Sequence, residues 1–314
     1  MAKLVIGKNK IKTVPAILKD SSPAHYVEKT VDTNGKLQNS TNIINLNGVT
    51  DVGDYVLTGN YYGTSFPANA SVDLSSLTTI SGNNACSYMF YGCTGITSVD
   101  LSSLTTISGH NGCNNMFYQC PDLTSVDLSS LTTISGSSGC QYMLQKCSSL
   151  TNVNLSSLTT INGDSSCQYM FGSCTGLTSI DLPSLTTISG NAPCNNMFIS
   201  CGGLTTAKLN ALNTMPVPIA PSYAQIFGAC LKLESVELGG LTSSTFASRK
   251  DQIAYLFNKT TGSQAPNGCT LHFPSNFNPE SADKTFDITT LTGYPTFGGN
   301  ASYIHLAYDL PATE

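Results

Sequence analysis

Hydrophobic and polar positions recur in one 27-residue pattern from residue 72 to residue 209. In residues 98–101, Val and Leu alternate with Ser and Asp, and this period of two predicts a short strand with Val and Leu facing inward. Leu104 and Ile107 follow at three-residue steps, which indicates a tight extended or 3₁₀-like passage. Ser108 and Gly109 then predict a turn.

The second half of each copy has a different period. Cys113, Met116, Phe117 and Cys120 are spaced i, i+3, i+4 and i+7, which is typical of one face of a short helix. The pattern therefore predicts an α/β repeat, with a parallel β-sheet on one face and short helices or 3₁₀ turns on the other. Self-similarity at this period is the signature of a solenoid, in which each unit buries its apolar face against its neighbours.

The strand positions extend beyond the clean copies and predict about nine rungs. They are Ile44, Val72, Val99, Val126, Val153, Ile180, Ala207, Val236 and Leu271. We therefore expect a solenoid over residues 44–273, an N-terminal arm over 1–43, and a C-terminal cap over 274–314 with a final strand near 304–306. Irregular outer repeats are expected because terminal units must cover the open ends of the core.

The repeat spacing Leu-x-x-Val-x-Leu-x-x-Leu-x-x-Ile resembles a leucine-rich repeat. Its continuation Met-Phe-x-x-Cys-x-x-Leu, at residues 170–177, is similar to the bacterial surface-protein type called BspA-like. This resemblance covers roughly residues 44–273. It implies a right-handed horseshoe or flatter solenoid with a parallel sheet on one face, used as an adhesin or recognition surface. Family members with known roles are usually exported.

Charge is sparse and unevenly distributed. Charged residues form 11% of the chain and the formal net charge is −5, yet residues 1–36 hold seven Lys and three acidic residues, so the remainder carries −9. A basic arm on an acidic body predicts docking to a negative partner, unless the arm is simply solvated. The predicted anchor residues are Lys3, Lys8, Lys10, Lys12 and Lys19. The acidic body argues against nucleic-acid binding, because phosphates would repel it.

No segment of the sequence reads as a signal peptide or a membrane span. We therefore expect synthesis in a cytosol without membrane insertion. The arm weakly resembles the leader segments by which bacteriophage virion proteins attach an appendage. Release inside a virion would let a cytosolic adhesin reach the outside. This interpretation predicts a virion location, with the bacterial cell surface as the alternative.

The chain has twelve cysteines, and eleven of them fall into two repeat columns. Two cysteines in one helical unit would be about 10.5 Å apart along the helix axis, too far for a disulfide. Buried free thiols are expected, while disulfides between rungs stay open. No metal-ligand spacing, catalytic constellation or phosphate loop is present, and the four His are scattered. We expect no metal, no cofactor and no enzyme activity.

Two faces of the predicted solenoid are candidate binding surfaces. The sheet face carries an acidic stripe at Asp73, Asp100, Asp127 and Asp181, suited to a cation or basic partner, or serving as a solvated face that prevents sheet stacking. The turn face varies most between copies, and its Tyr, Asn and Gln side chains suit a sugar or a protein epitope, although drift would explain the variation too. Its candidates are Tyr88, Tyr91, Asn114, Asn115, Tyr118, Gln141, Tyr142, Gln168, Tyr169, Asn195 and Asn196.

These features predict a non-enzymatic protein that decorates a phage particle. In this hypothesis the arm binds a virion protein and the solenoid binds a bacterial surface glycan or protein. A bacterial cell-surface or secreted adhesin is the alternative, and a structural spacer or capsid-decoration protein is the second alternative. The chain could also form a homo-oligomer.

Overall fold

The computed structural model describes residues 3–5, 11–13, 42–45, 51–52, 54, 63, 65–213, 226–241, 269–276 and 304–312. Within these residues the chain forms seventeen β-strands and no helix. Two strands of the N-terminal arm, β1 (Lys3–Val5) and β2 (Ile11–Thr13), pair antiparallel. The other fifteen build three parallel sheets of five strands each.

The strands at the predicted positions form two of these three sheets. The first contains β3 (Asn42–Asn45), β4 (Ser65–Asp73), β6 (Thr94–Asp100), β8 (Ser125–Asp127) and β10 (Asn152–Asn154). The second contains β12 (Ser179–Asp181), β14 (Thr206–Lys208), β15 (Ser235–Glu237), β16 (Cys269–Pro274) and β17 (Ile304–Leu310). The expected single sheet is thus divided between β10 and β12.

The Thr-Ile steps form the third sheet, which runs along a neighbouring face without this division. Its two-residue strands are β5 (Thr79–Ile80), β7 (Thr106–Ile107), β9 (Thr133–Ile134), β11 (Thr160–Ile161) and β13 (Thr187–Ile188). Next to it, Thr132 Oγ1 donates to Thr105 O at 3.0 Å, and Thr159 Oγ1 donates to Thr132 O at 3.0 Å. These hydrogen bonds add a side-chain ladder to the backbone ladder.

Register is fixed at the 27-residue repeat, so equivalent residues stack directly. Val99 pairs with Val126, and Asp100 pairs with Asp127. Strands lie at each of the nine predicted positions, but the turns between them are described only over residues 65–213 and 226–241. The described chain therefore forms a parallel β-solenoid of about six turns, and the prediction of nine rungs is not confirmed.

The predicted short helix is replaced by a run of β-turns. In one rung, Asn111, Asn115 and Gln119 have φ between 53° and 57°, a left-handed conformation at every fourth residue that an α-helix excludes. Met116 N donates to Cys113 O within the rung, whereas Phe117 N donates to Met143 O of the next rung at 2.8 Å. Alternate N–H groups therefore hold the rungs together instead of closing a helix.

One continuous core fills the solenoid. The residues predicted to face inward in this rung, Cys113, Met116, Phe117 and Cys120, are all fully buried. The ring of Phe90 stacks on Phe117 with centroids 5.1 Å apart and an interplanar angle of 3°. All twelve cysteines are buried free thiols, so no disulfide joins the rungs. Dispersion and burial of apolar area between stacked turns stabilise the fold.

Candidate functional site

The acidic stripe lies where the strands end, and its carboxylates accept hydrogen bonds from the chain itself. Asp100 Oδ1 accepts the N–H of Ser102 at 2.9 Å, and Asp127 Oδ1 accepts the N–H of Ser129 at 2.9 Å. Asp73 Oδ1 accepts both the N–H and the hydroxyl of Ser75, at 3.1 and 2.6 Å. Each carboxylate thereby closes the turn that follows its strand, which is a structural role.

The last member of the stripe breaks this pattern. Asp181 is followed two residues later by Pro183, which has no N–H to donate. The next rungs then exchange the acid for an ion pair, in which Lys208 Nζ lies 3.0 Å from Glu237 Oε1. Burial opposes ionisation of Glu237, but hydrogen bonds from Asn210 and Lys208 outweigh it and lower the pKa of its carboxyl. The predicted stripe is therefore not one uniform acidic surface.

A groove of about 540 Å³ runs over β4, β6, β8 and β10. Its lining residues are Ser71, Val72, Asp73, Ser98, Val99, Asp100, Ser125, Val126, Asp127, Asn152 and Asn154. Among the residues that the structure describes, no group of three or more His, Cys, Asp or Glu side chains is placed to hold a metal ion. The groove offers hydroxyl and carboxylate oxygens but no aromatic side chain.

The tyrosines of the turn face form an aromatic surface across four rungs, which we call the tyrosine surface: Tyr88, Tyr91, Tyr118, Tyr142 and Tyr169. Tyr91 stacks on Tyr118 with centroids 4.7 Å apart, and Tyr142 stacks on Tyr169 at 5.1 Å. Tyr88 lies 5.7 Å from Tyr91 in the same rung and is 41% exposed. The other four rings are partly exposed.

Several of these tyrosines have an unusual backbone conformation. Tyr88, Tyr142 and Tyr169 have φ between 56° and 58°, which is unusual for a bulky residue. The same column holds Asn115 and Asn196 in the other copies, also with positive φ. The architecture imposes this conformation at every copy, and three copies use it to present a Tyr.

Neighbouring phenol groups affect the pKa of Tyr142 within the tyrosine surface. Burial raises the pKa of the Tyr142 hydroxyl, and the neighbouring phenols of Tyr169, Tyr118 and Tyr88 raise it further. A Tyr with a raised pKa is neutral at physiological pH, so its hydroxyl is available as a hydrogen-bond donor. Tyr142 thus combines an apolar ring with a neutral phenol group.

Four of the eleven predicted ligand residues are buried. Asn114, Asn115, Asn195 and Asn196 have at most 8% of their surface exposed. Asn114 Nδ2 donates to Gln141 Oε1 at 3.1 Å, and Gln141 Nε2 donates to Gln168 Oε1. The side-chain amides of Asn114, Gln141 and Gln168 are thus hydrogen-bonded from rung to rung, and the four buried Asn are not accessible to a ligand as predicted. The tyrosines remain predicted binding residues.

Sequence reasoning missed Lys146 as a site residue. Its Nζ lies 5.3 Å from the ring centroid of Tyr118. A hydrogen bond with Tyr118 raises the pKa of the Lys146 ammonium, so this group is charged at neutral pH. The scarcity of basic residues could have drawn attention to Lys146, because residues 65–213 contain no Arg and only one other Lys, Lys208.

The predicted anchor residues are only partly described. Lys3 lies in β1 and Lys12 lies in β2. Lys8, Lys10 and Lys19 lie outside the described residues. Attachment through this segment stays a prediction. Within the described part of the chain, no helix has the length and apolar character needed to span a bilayer.

The chain was compared with known protein families, curated proteins and solved structures to identify its family. No curated protein matches the chain. A leucine-rich cell-surface protein of Faecalibacterium prausnitzii A2-165, of known crystal structure, is 14% identical over 77% of this chain and 96% of its own, with a TM-score of 0.17. That score is too low to inform function. The model of the BspA-type leucine-rich repeat region matches six copies, at residues 64–205 and 141–248. The chain belongs to the BspA-type leucine-rich repeat family.

Proposed function

We propose that the protein is a non-enzymatic adhesin of the bacterial cell surface that binds a glycan through the tyrosine surface. This proposal rests on two stacks of partly exposed aromatic rings. Tyr91 stacks on Tyr118, and Tyr142 stacks on Tyr169. The apolar face of a sugar ring packs against an aromatic ring, while phenol hydroxyls hydrogen-bond to sugar hydroxyls. Repetition from rung to rung suits a polymeric ligand.

The composition of the surface favours a glycan over a protein partner. Among the described residues, the exposed large hydrophobic side chains are Tyr88, Leu231 and Tyr308, which do not form one broad apolar patch. Stable protein interfaces usually bury an apolar centre. Rings bordered by amides and hydroxyls, as here, match the mixed character of a saccharide.

The sheet-face groove supports a binding function less well. Oxygens of Asp73, Asp100 and Asp127 already accept hydrogen bonds from the turns that follow their strands. The groove also lacks aromatic side chains among its lining residues. We therefore place the glycan on the tyrosine surface.

The experiment is a glycan array probed with the full chain and with two variants. Tyr118→Gln and Tyr142→Asn each introduce the residue that another copy carries in the same column, at Gln145 and Asn115. We expect selective binding by the parent protein and about fivefold weaker binding by each variant, since ring stacking contributes about 1 kcal/mol. An array without specific binding, or variants that bind like the parent, would refute the proposal.

Location is tested separately, because the family match supports the bacterial-surface hypothesis and gives no support to the bacteriophage hypothesis. Antibody labelling of intact producing cells is the expected result for a surface adhesin. Labelling of purified virions would instead favour the virion-attached protein. A chain that labels virions and binds no glycan would be a capsid spacer.

A further inference from the structure

Cations are scarce on the central solenoid. Residues 65–213 contain Lys146 and Lys208 and no Arg. Lys208 is neutralised, since its Nζ lies 3.0 Å from Glu237 Oε1. Lys146, by contrast, lies beside the aromatic ring of Tyr118 and not beside a carboxylate.

The ammonium of Lys146 has no carboxylate counter-charge within 4 Å among the described residues. Its nearest partner is Tyr118, whose ring centroid lies 5.3 Å from Nζ. This cation–π contact holds the charge at the edge of the tyrosine surface.

The ring beneath this charge is part of a stack. Tyr118 lies flat against Tyr91, with an interplanar angle of 14°, and Tyr91 in turn contacts Tyr88. The partly exposed edges of the Tyr91–Tyr118 stack therefore lie beside an ammonium that has no carboxylate within 4 Å among the described residues. A ligand that covers the rings brings its own substituents next to Lys146 Nζ.

We propose that the tyrosine surface recognises an acidic glycan, in which a sugar ring packs against the exposed edges of Tyr118 and Tyr91 while the carboxylate of that sugar or its neighbour binds Lys146. This inference rests on the proposed glycan-binding function and names its ligand class. A single ammonium matches the single charge of a carboxylate. A phosphate dianion would call for a second cation, and the described tyrosine surface has none.

The test uses an array of matched oligosaccharide pairs, in which each uronic-acid glycan is printed beside its neutral, carboxyl-reduced form. The full chain should bind the acidic member about tenfold more tightly, because a charge-assisted hydrogen bond is roughly twice as strong as a neutral one. Raising NaCl from about 0.05 M to about 0.5 M should narrow that difference through screening.

Two variants separate charge recognition from folding. Lys146→Gln introduces the residue of the equivalent column position, Gln119, and should abolish the preference for the acidic member. Lys208→Gln removes the other Lys of residues 65–213 and should leave the preference intact. Circular dichroism and thermal unfolding report whether each variant is folded.

The outcomes distinguish this inference from the function on which it rests. Equal binding of acidic and neutral members, or a preference that survives Lys146→Gln, overturns the acidic-glycan inference and leaves glycan binding standing. A loss of preference in both Lys variants also overturns it, because the effect would then follow net charge. Failure of every glycan to bind overturns both.

Discussion

The thiol of Cys174 donates a hydrogen bond to the carbonyl oxygen of Leu144 in the preceding rung, across 3.1 Å. The same contact recurs along the column, from Cys120 to Phe90, Cys147 to Phe117, Cys201 to Phe171 and Cys230 to Phe198, at 2.9–3.1 Å. A small apolar side chain would fill this space but could not donate. Each of these carbonyls also accepts a backbone N–H of its own rung, so the column uses Cys both to pack and to add a second hydrogen bond from the next rung.

The first prediction concerns this donor. Cys174→Ala should lower the free energy of unfolding by about 1–2 kcal/mol, because it removes the S–H donor and leaves a small void. Cys174→Ser keeps a donor of similar size and should cost less than Ala. Urea denaturation followed by circular dichroism measures both. If the Ser variant is destabilised as much as the Ala variant, the hydrogen bond contributes nothing and Cys174 stabilises the fold by packing alone.

The second prediction is a loss of stability at alkaline pH. Burial, with a smaller contribution from Asp51, raises the pKa of Cys86 from 9.0 to about 12. The folded state therefore keeps a proton that the unfolded state releases above pH 9, so this contribution to stability is complete below pH 9 and is lost between pH 9 and about 12. Urea midpoints measured from pH 7 to 11 should fall above pH 9.

A matched variant isolates the thiol from other groups that titrate in this range. Cys86→Ala removes one buried ionisable group and should make the alkaline decline shallower. An independent check is the reactivity of the thiols at pH 8, where the folded chain should resist a disulfide reagent and the unfolded chain should expose all twelve. Rapid labelling of the folded protein would contradict the buried-thiol core.

The third prediction tests the close approach of successive turns. A Cβ added at Gly136 would lie 2.2 Å from the carbonyl oxygen of Gly109, a backbone atom that cannot move aside alone. Gly136→Ala should therefore destabilise the solenoid by about 3 kcal/mol or more, comparable to severe overpacking. Gly202→Ala is the control, because a Cβ there meets nothing within 4 Å. Equal unfolding midpoints for the two variants would contradict the spacing of the turns.

Inward-facing residues could be predicted from the sequence better than backbone conformation. Met116 and Phe117 are buried as the periodicity predicts, yet they lie in turns and not in a helix. The spacing i, i+3, i+4, i+7 marks one face of either structure, so hydrophobic periodicity cannot separate them. The distinguishing signal was local, since Asn111 and Ser138 share a column that requires positive φ.

Burial of the candidate site could not be predicted from variation between copies. Asn114 and Asn195 differ from Gln141 in the same column, but their short side chains lie inside the surface. The longer Tyr side chain extends beyond the surrounding surface, so Tyr88 remains 41% exposed. Variation at a position therefore measures tolerance and not accessibility. The contact between Lys146 and Tyr118 joins successive rungs, and only the register of stacked turns places it.

The fourth prediction separates binding from folding at Tyr142. Its φ of 58° strains a bulky side chain, and Asn adopts this conformation more readily, as Asn115 does one rung earlier. Tyr142→Asn loses the stack on Tyr169, worth about 0.5–1.5 kcal/mol, but relieves part of that strain. We expect the free energy of unfolding to change by less than about 1 kcal/mol, as measured by urea denaturation. Tyr142→Phe, which keeps the ring and the strained backbone, should match the parent in stability. A large destabilisation by Asn alone would show that the ring stack holds the rungs together, and Tyr142 would then be a structural residue.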